Sequence, residues 1–282
     1  QDVENITKNA DSTYKLMLPE IYLDCPDADD RIAEINQNMR NYIHKDLFVN
    51  YRRSFILTRR STPYSPVRTG LVAALDLERY DYHSGAKALI RATEGTVPER
   101  IPPRMKIRKN AVLEMPHILI LIDDPGRTVI EPAAEALLSG SGIQPVYDTE
   151  LMKNGGHLKG YLIDQSTGGE LYAHIFKSME ELARSSGGFL FAVGDGNHSL
   201  ASAKCHYEDL KRAGLPCRNA RYAMVEIVNL HDQGILFEPI HRVLFGVEHE
   251  KLTAFLQSRG CRLERGDTRF HNLSYITESG EG

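Results

Sequence analysis

The run Gly194-Asp195-Gly196-Asn197-His198-Ser199 carries the sharpest chemical signal in the sequence, because it joins a short apolar strand directly to a helix. Glycine lets the backbone approach a ligand closely or adopt a positive φ. The start of a helix presents unpaired backbone N–H groups and a partial positive charge, a combination that binds anions. The sequence therefore predicts an anion-binding turn, with Gly196, Asn197 and Ser199 as phosphate ligands.

Asp195 and His198 are the candidates for catalysis at this turn. A carboxylate does not attract a phosphate, so Asp195 is expected to accept a substrate proton or to bind a metal ion or an ammonium group. His198 can donate to a phosphoryl oxygen or transfer a proton. The alternative is a tight turn in which Asn197 or Ser199 caps the helix and no ligand binds. The residues alone leave both interpretations open.

A second candidate is the basic, proline-rich segment from Arg91 to Arg104. The guanidinium group is the side chain best shaped for bidentate phosphate binding. Prolines stiffen the segment, so less ordering is required when a ligand binds. The predicted phosphate ligands in this segment are Arg91, Thr93, Thr96, Arg100 and Arg104. The alternative is a solvated charged loop whose surface ion pairs contribute little.

Asp123 and Asp124 end an isoleucine-rich strand. Carboxylates at the end of a strand can hold Mg²⁺ and leave coordination positions for phosphates. Only one of two neighbours on an extended chain can point into a site, and Asp124 begins the turn Asp124-Pro125-Gly126, where aspartate is common. The sequence therefore predicts Asp123 as a ligand and Mg²⁺ as the expected cofactor.

A fourth group of polar residues lies on a strand predicted from Ile235 to Phe245. Glu238, Ile240 and Arg242 share one face of such a strand, and His241 lies on the other. A glutamate and an arginine on one face can bind the ammonium and carboxylate of an amino acid, or they can form a cross-strand salt bridge. Glu238, His241 and Arg242 are the predicted substrate-binding residues.

Composition excludes several classes of protein. The 282 residues are 41% apolar and 26% charged, which is typical of a soluble globular protein and not of a disordered chain or a coiled coil. The net charge of −4 argues against sequence-independent binding to nucleic acid. The longest apolar run, Ile118 to Ile122, is far shorter than the roughly 20 residues of a membrane span. Four cysteines without CxxC spacing favour free thiols in a reducing cytoplasm.

Hydrophobic periodicity predicts an α/β (mixed α+β) fold, in which mixed sheets are flanked by helices. Two of the predicted helices begin at Asp27 and at Asn197. The other three span Pro132–Leu138, Gly168–Arg184 and Glu248–Ser258. The predicted strands are 54–58, 69–77, 117–123, 144–148, 158–163, 189–193, 222–228 and 235–245. The segment 91–109 fits neither period and is predicted as a loop. We expect an N-terminal region 1–150, a region 151–264 with the Gly-Asp-Gly-Asn-His-Ser run and a polar tail 265–282, or one continuous domain.

Four blocks in this order resemble a bacterial and archaeal family long labelled a domain of unknown function. The blocks are 89–104, 116–125, 194–199 and 237–242, and the resemblance covers about residues 27–245. Members of that family usually begin earlier, so the chain is expected to be a piece of a longer protein. The family in turn is similar to the ParB/sulfiredoxin-like free-serine kinases, which carry an Asp-Gly-His-His-Arg motif at the same strand-to-helix position. This similarity implies a ParB/sulfiredoxin-like core around the Asp-Gly-Asn-His turn.

The resemblance also implies a chemistry. In those kinases the motif binds the phosphate donor and an acidic residue activates the serine hydroxyl. The positions that match directly are Asp195, Gly196 and His198. Asn197 replaces a histidine, and Ser199 stands where the kinases have arginine. The arginines of segment 91–104 would supply the missing charge, which favours a small donor such as pyrophosphate over ADP or ATP.

The expected function is therefore that of a phosphotransferase, which transfers a phosphoryl group to or from the hydroxyl of free serine. Asp195 is the leading candidate for the proton acceptor. The partners of the protein would be serine or phosphoserine and a phosphate donor, with neither nucleic acid nor membrane. The alternatives are a phosphoserine hydrolase and a non-enzymatic, ParB-like module that binds an anion or a nucleotide. All three require the segment near Arg100 to fold over the helix start that follows Gly196.

Overall fold

The computed structural model describes residues 1–115, 117–140, 142–166, 168–236 and 243–261, and two short strands beyond them. The chain divides into two compact units, Gln1–Leu236 and Phe237–Gly282. Glu238, His241 and Arg242 lie outside the described residues. Within the described part, no helix combines the length and the apolar character needed to cross a membrane.

A mixed sheet of nine strands organises the first unit. In chain order its strands are β1 (Phe55–Thr62), β2 (Ser65–Asp76), β3 (Tyr80–Asp81), β4 (Ile90–Ala92), β5 (Leu119–Ile122), β6 (Tyr147–Glu150), β7 (His157–Ile163), β8 (Phe191–Asp195) and β9 (Tyr222–Asn229). Across the sheet they follow the order β3-β4-β8-β5-β9-β2-β1-β7-β6. The pairs β3–β4, β4–β8 and β5–β9 are parallel and the others antiparallel. The predicted mixed α/β class is confirmed.

The described residues form seven helices. They are α1 (Asp2–Thr7), α2 (Ala28–His44), α3 (Ile101–Lys109), α4 (Glu131–Leu138), α5 (Gly169–Ser185), α6 (Asn197–Arg212) and α7 (His249–Ser258). The five helices predicted from periodicity are all present. The second unit contains α7 and the short hairpin of β10 (Ile276–Thr277) and β11 (Gly280–Glu281).

The core lies between one face of the sheet and the helices α4, α5 and α6. Side chains from alternating strand positions are almost fully buried there, and they include Leu57, Leu71, Ile120, Val193 and Ile227. The helices contribute Ala133, Ile175 and Leu200 to the same cluster. The opposite face of the sheet carries the polar residues described below. A smaller cluster buries one face of α2, with Ile35, Met39 and Tyr42 packed on Leu16.

Two predictions about elements were wrong. Segment 91–109 is not a loop: it contains the end of β4, a 3₁₀ turn (Pro98–Arg100) and α3. Proline at the start of a helix costs little, because the first N–H groups lack partners in any case. The strand predicted over 235–245 also fails in its described part, since 235–236 and 243–245 lack strand structure.

The predicted boundary at residue 150 falls between β6 and β7. These two strands pair with each other in the nine-stranded sheet, with Glu150 opposite His157. Strands from both predicted regions therefore belong to the same sheet.

Candidate functional site

The turn between β8 and α6 is built around Gly196. Its φ of 80° lies in the left-handed region that favours glycine, and this lets the chain pass directly from strand to helix. A Cβ atom at this position would lie 3.2 Å from the Ile118 Cα and 3.3 Å from the His117 carbonyl oxygen. No side chain caps the start of α6, so the backbone N–H groups of its first turn have no capping acceptor. The strand–turn–helix predicted here is present.

Asp195 reaches the open face of the sheet because the register shifts at Gly194. On β5, Leu119 and Ile120 pair with Asp195 and Val193, so Gly194 is one extra residue on β8. Such a bulge re-aims the side chain that follows it. Asp195 therefore shares the face of Leu119, where it is exposed, while Val193 stays in the core. The Asp195 Oδ1 atom accepts the Gly196 N–H at 2.7 Å.

Asn197 fastens the segment after β4 to the start of α6. Its side chain is buried, and Nδ2 donates to the Glu94 carbonyl oxygen at 3.3 Å and to Thr96 Oγ1 at 3.1 Å. Its Oδ1 accepts from the buried hydroxyl of Tyr80 at 3.3 Å. These contacts occupy the side-chain amide, so any anion contact by Asn197 would come from its backbone N–H.

Two further bonds hold the same segment in place. The Val97 N–H donates to His198 Nε2 at 3.1 Å, and the Thr93 hydroxyl donates to the Val193 carbonyl oxygen at 2.6 Å. Segment 93–97 therefore lies over the start of α6, as the function predicted from the sequence requires.

His198 acts in this arrangement as a neutral acceptor. Because Nε2 accepts a hydrogen bond, the proton of the neutral ring is on Nδ1. Partial burial lowers the pKa of His198, and the nearby charges of Arg100 and Arg104 lower it further. The ring therefore remains neutral near pH 7 and keeps its bond to Val97. This contact gives His198 a positioning role, and its predicted catalytic role stays a prediction.

The arginines of the segment point in different directions. Arg100 is exposed, and Arg104 forms an ion pair with Glu20. Both lie near enough to His198 to affect its pKa. Arg91 instead donates from Nε to the Ala88 carbonyl oxygen and packs on the Phe189 ring at 4.4 Å. It therefore lies toward the end of β8 remote from Asp195.

Arg108 was not singled out in the sequence, yet it lies at the same helix start. Its guanidinium contacts the Glu114 carboxylate at 2.5 and 2.7 Å and Ser199 Oγ at 3.5 Å. The side chain is only 11% exposed. A cation thus lies beside Ser199, at the position where the resemblance implied that an arginine was missing.

Asp123 lies away from this turn. Its carboxylate contacts His231 Nε2 at 2.7 Å. Leu119 pairs with Asp195, and Asp123 follows Leu119 by four residues. At about 3.3 Å per residue, Asp123 therefore lies roughly 13 Å along the chain from the residue that pairs with Asp195. Asp124 is buried and accepts the N–H groups of Thr128 and Val129, as its predicted role in a turn requires.

No group of three or more His, Cys, Asp or Glu side chains in the described residues is placed to hold a metal ion. The Mg²⁺ requirement stays a prediction.

A polar cluster that the sequence analysis missed is centred on Glu226 of β9. Its neighbours Val225 and Ile227 enter the core, so Glu226 lies on the opposite face of the sheet. Its carboxylate accepts from Thr58 Oγ1 at 2.8 Å and from Arg68 at 2.9 Å, and it contacts His117 Nε2 at 2.6 Å. The side chain of Glu226 is 8% exposed, whereas that of His117 is 59% exposed.

Glycines let large side chains lie flat across this face. A Cβ at Gly70 would lie 2.3 Å from Glu226 Oε1, and one at Gly160 would lie 2.1 Å from the Tyr147 ring. Thr58 pairs with both glycines and lies between them. Glycine inside a strand commonly marks such a close approach.

Substituting Gly70 by alanine should therefore displace the Glu226 carboxylate from Thr58. We expect a loss of about 1–3 kcal/mol in the free energy of unfolding, because overpacking forces neighbours out of place. Urea unfolding monitored by circular dichroism measures it. Gly95→Ala is the matched control, since a Cβ there meets no atom within 4 Å. Equal midpoints for the two variants would contradict this account of Gly70.

Glu226 and Asp195 flank the same residue of β5. Both are Cα partners of Leu119, Asp195 from β8 and Glu226 from β9. The two carboxylates therefore lie on one face, about two strand spacings or roughly 10 Å apart. His117 precedes Leu119 by two residues and reaches Glu226 on the same face. The sequence does hold a signal for this cluster, because Glu226 is the one charged residue of Tyr222–Asn229.

The fold and site together define a mixed α/β protein whose polar residues gather at a strand-to-helix turn and on the adjoining open face of the sheet. The sequence matches a family described as "Protein of unknown function (DUF1015)" over residues 1–280, and the chain belongs to this family. Comparison with curated proteins and with solved structures gives no match. Membership in a family of unknown function is thus confirmed, while the similarity to ParB/sulfiredoxin-like kinases stays a prediction.

Proposed function

We propose that this protein transfers a phosphoryl group to or from the hydroxyl of a small amino acid, with free serine as the first candidate. The observation that carries the proposal is the attachment of segment 93–97 to the uncapped start of α6 through Asn197 and His198. The charges of Arg100 and Arg104 act on His198, the second residue of α6, and Asp195 lies at the edge of the same turn.

Such an arrangement suits phosphoryl transfer, which depends on positioning and charge compensation more than on covalent catalysis. The helix N–H groups from Asn197 to Ser199 and the arginines would hold the donor. Pyrophosphate is our first candidate for it, before ADP or ATP. Mg²⁺ is commonly bound by one or two carboxylates together with substrate phosphates, so we expect it to enter with the donor.

In the proposed reaction the serine hydroxyl oxygen forms a bond to phosphorus. The bond from phosphorus to the bridging oxygen of the donor breaks, and the hydroxyl proton passes to a base. Asp195 contacts the acceptor, where its carboxylate either takes this proton or binds the ammonium group. Glu238, His241 and Arg242 keep their predicted role in substrate binding, and the ParB/sulfiredoxin-like core is part of the same proposal.

Asp195→Asn is the direct test. We expect kcat/KM for serine to fall about 100-fold or more, because the uncharged amide neither takes a proton nor binds ammonium. The fold should persist, since asparagine Oδ1 can still accept the Gly196 N–H. Phosphorus NMR with serine, Mg²⁺ and, in turn, pyrophosphate, ADP and ATP measures the product. Asp209→Asn, on the far end of α6, is the control, and an active Asp195→Asn protein would remove Asp195 from the site.

The same spectra separate the two alternatives. A phosphoserine hydrolase would release inorganic phosphate from phosphoserine with water as the acceptor. A sensor module would shift the donor resonances without forming product. The net charge of −4 disfavours a nucleic-acid partner for such a module. We further propose a cytoplasmic location, because all four cysteines are free thiols.

A further inference from the structure

His117 has the surroundings of an oriented acid–base residue. Its Nε2 atom contacts the Glu226 carboxylate at 2.6 Å, which fixes the plane of the ring, while most of the side chain stays exposed. Glu226 in turn is held by Thr58 and Arg68 from two further strands. A buried carboxylate that is fixed on three sides and orients an exposed imidazole resembles the carboxylate–histidine half of a hydrolase triad in its chemistry.

The ionised state of Glu226 determines which nitrogen of His117 is free to react. Burial opposes ionisation of Glu226, but the bonds from His117 and Thr58 and the charge of Arg68 outweigh it and lower the pKa of the carboxyl. An ionised Glu226 accepts the proton on Nε2 of a neutral His117. The lone pair is then on Nδ1, and a neutral imidazole nitrogen is the side-chain base most often used near neutral pH.

The position of His117 suits the proposed acceptor. The ring lies on the same face as Asp195, and its carbonyl oxygen lies 3.3 Å from the Cβ position at Gly196. The surface over Leu119 is thus bounded by Asp195 on one side and by the pair of His117 and Glu226 on the other. A gap of roughly 10 Å between the carboxylates accommodates a small amino acid.

We propose that His117 is the catalytic residue that accepts the hydroxyl proton of the acceptor, with Glu226 as its positioning residue and Asp195 as the ligand of the acceptor's ammonium group. This inference rests on the proposed phosphotransferase function. The hydroxyl proton moves to Nδ1 of His117 as the oxygen–phosphorus bond forms and the donor bond breaks. The imidazolium keeps its Nε2–H bond to Glu226 throughout. His117 thereby takes the role that the sequence alone gave first to Asp195.

The test separates kcat from the KM for serine in wild type, His117→Ala, Glu226→Gln and Asp195→Asn. We expect His117→Ala to lower kcat by about 100-fold or more with little change in KM, and added imidazole to restore part of kcat. Glu226→Gln should lower kcat by at least about tenfold. Asp195→Asn should act mainly by raising KM. Imidazole rescue is a readout that a merely structural role of His117 would not produce.

His231→Ala is the matched control. His231 also contacts a carboxylate through Nε2, that of Asp123 at 2.7 Å, but at the opposite end of β5. The His231→Ala variant should keep the kcat of wild type, and added imidazole should not raise that kcat. Circular dichroism and urea midpoints show whether each variant is folded.

The outcomes distinguish the two proposals. If wild type converts serine with some donor and His117→Ala keeps kcat within about threefold, the inference is wrong and the proposed function stands. A folded His117→Ala protein with a raised KM and no response to imidazole would make His117 a binding residue and also overturns the inference. If wild type forms no phosphoserine with any donor and releases no phosphate from phosphoserine, the proposed function fails, and the proton-transfer role fails with it.

Discussion

Replacing Glu226 by alanine is expected to lower the free energy of unfolding by about 3–5 kcal/mol, as removal of one partner from a buried ion pair generally does. The Arg68 side chain is 19% exposed and would lose its only carboxylate partner in the described part of the chain. The buried hydroxyl of Thr58 would lose its acceptor as well. Chemical unfolding at pH 7 measures the loss.

Glu226→Gln is the informative companion variant. Glutamine retains an oxygen that can accept from Thr58 and fills almost the same volume, but it removes the charge that pairs with Arg68. Its stability should therefore lie between those of wild type and Glu226→Ala. If all three proteins unfold within about 1 kcal/mol of each other, the cluster does not stabilise the sheet.

The same residue makes stability depend on acid in a defined direction. Interactions with His117, Arg68 and Thr58 prevail over burial and hold the pKa of Glu226 below its ordinary value of 4.5. A carboxyl with a lowered pKa in the folded state stabilises the protein fully above its unfolded pKa. That contribution is lost as the pH falls through the lower folded pKa. Wild type should therefore lose stability below about pH 4.5 more steeply than Glu226→Gln, and parallel curves would contradict this assignment.

Local sequence patterns were sufficient to predict the turn after β8. Residues 189–193 form a short apolar run typical of a buried strand, and Gly196 permits the left-handed turn. The spacing of Leu200, Ala203 and Tyr207 gives the inner face of α6. Each of these signals depends on neighbours within a few residues. For that reason the position of Asp195 at the strand end was predictable, whereas the bulge at Gly194 that turns it to the open face was not.

Features that depend on partners far away in the sequence were not predicted. Helix α3 buries only Ile101 and lacks an apolar stripe. Ion pairs to Asp29, Glu20 and Glu114 accompany it instead of an apolar face. The distance of Asp123 from Asp195 has a similar origin, since both follow a strand but β5 runs antiparallel to β8. The direction of β5 relative to β8 is fixed by pairing between residues more than 70 positions apart. The local sequence pattern therefore does not predict it.

The contacts of Glu226 with Thr58, Arg68 and His117 could not be predicted for the same reason. The four residues come from β9, β1, β2 and the segment before β5, and the order of the strands brings them together. A lone glutamate in an apolar strand could have been recognised as unusual. Its partners could not, because nothing local specifies which strands become neighbours.

Replacing Asn197 by alanine should have the largest effect on the proposed phosphate site. The buried Tyr80 hydroxyl, Thr96 Oγ1 and the Glu94 carbonyl oxygen each lose a hydrogen-bond partner. Leaving buried polar groups unpaired costs about 1–3 kcal/mol per group, so we expect about 2 kcal/mol or more. Release of segment 93–97 should also lower phosphoryl transfer about 100-fold, because misplaced binding groups forfeit the gain from positioning.

Amide hydrogen exchange tests this account without reference to the reaction. The Val97 N–H is bonded to His198 only while the segment lies on α6. Its exchange should therefore accelerate in Asn197→Ala while the amides of β9 stay protected. Asn41→Ala on α2 is the matched control, since the Asn41 side chain is exposed and bonds only to Gln37 among the described side chains. If Val97 exchanges at the wild-type rate in Asn197→Ala, Asn197 does not hold the segment against α6.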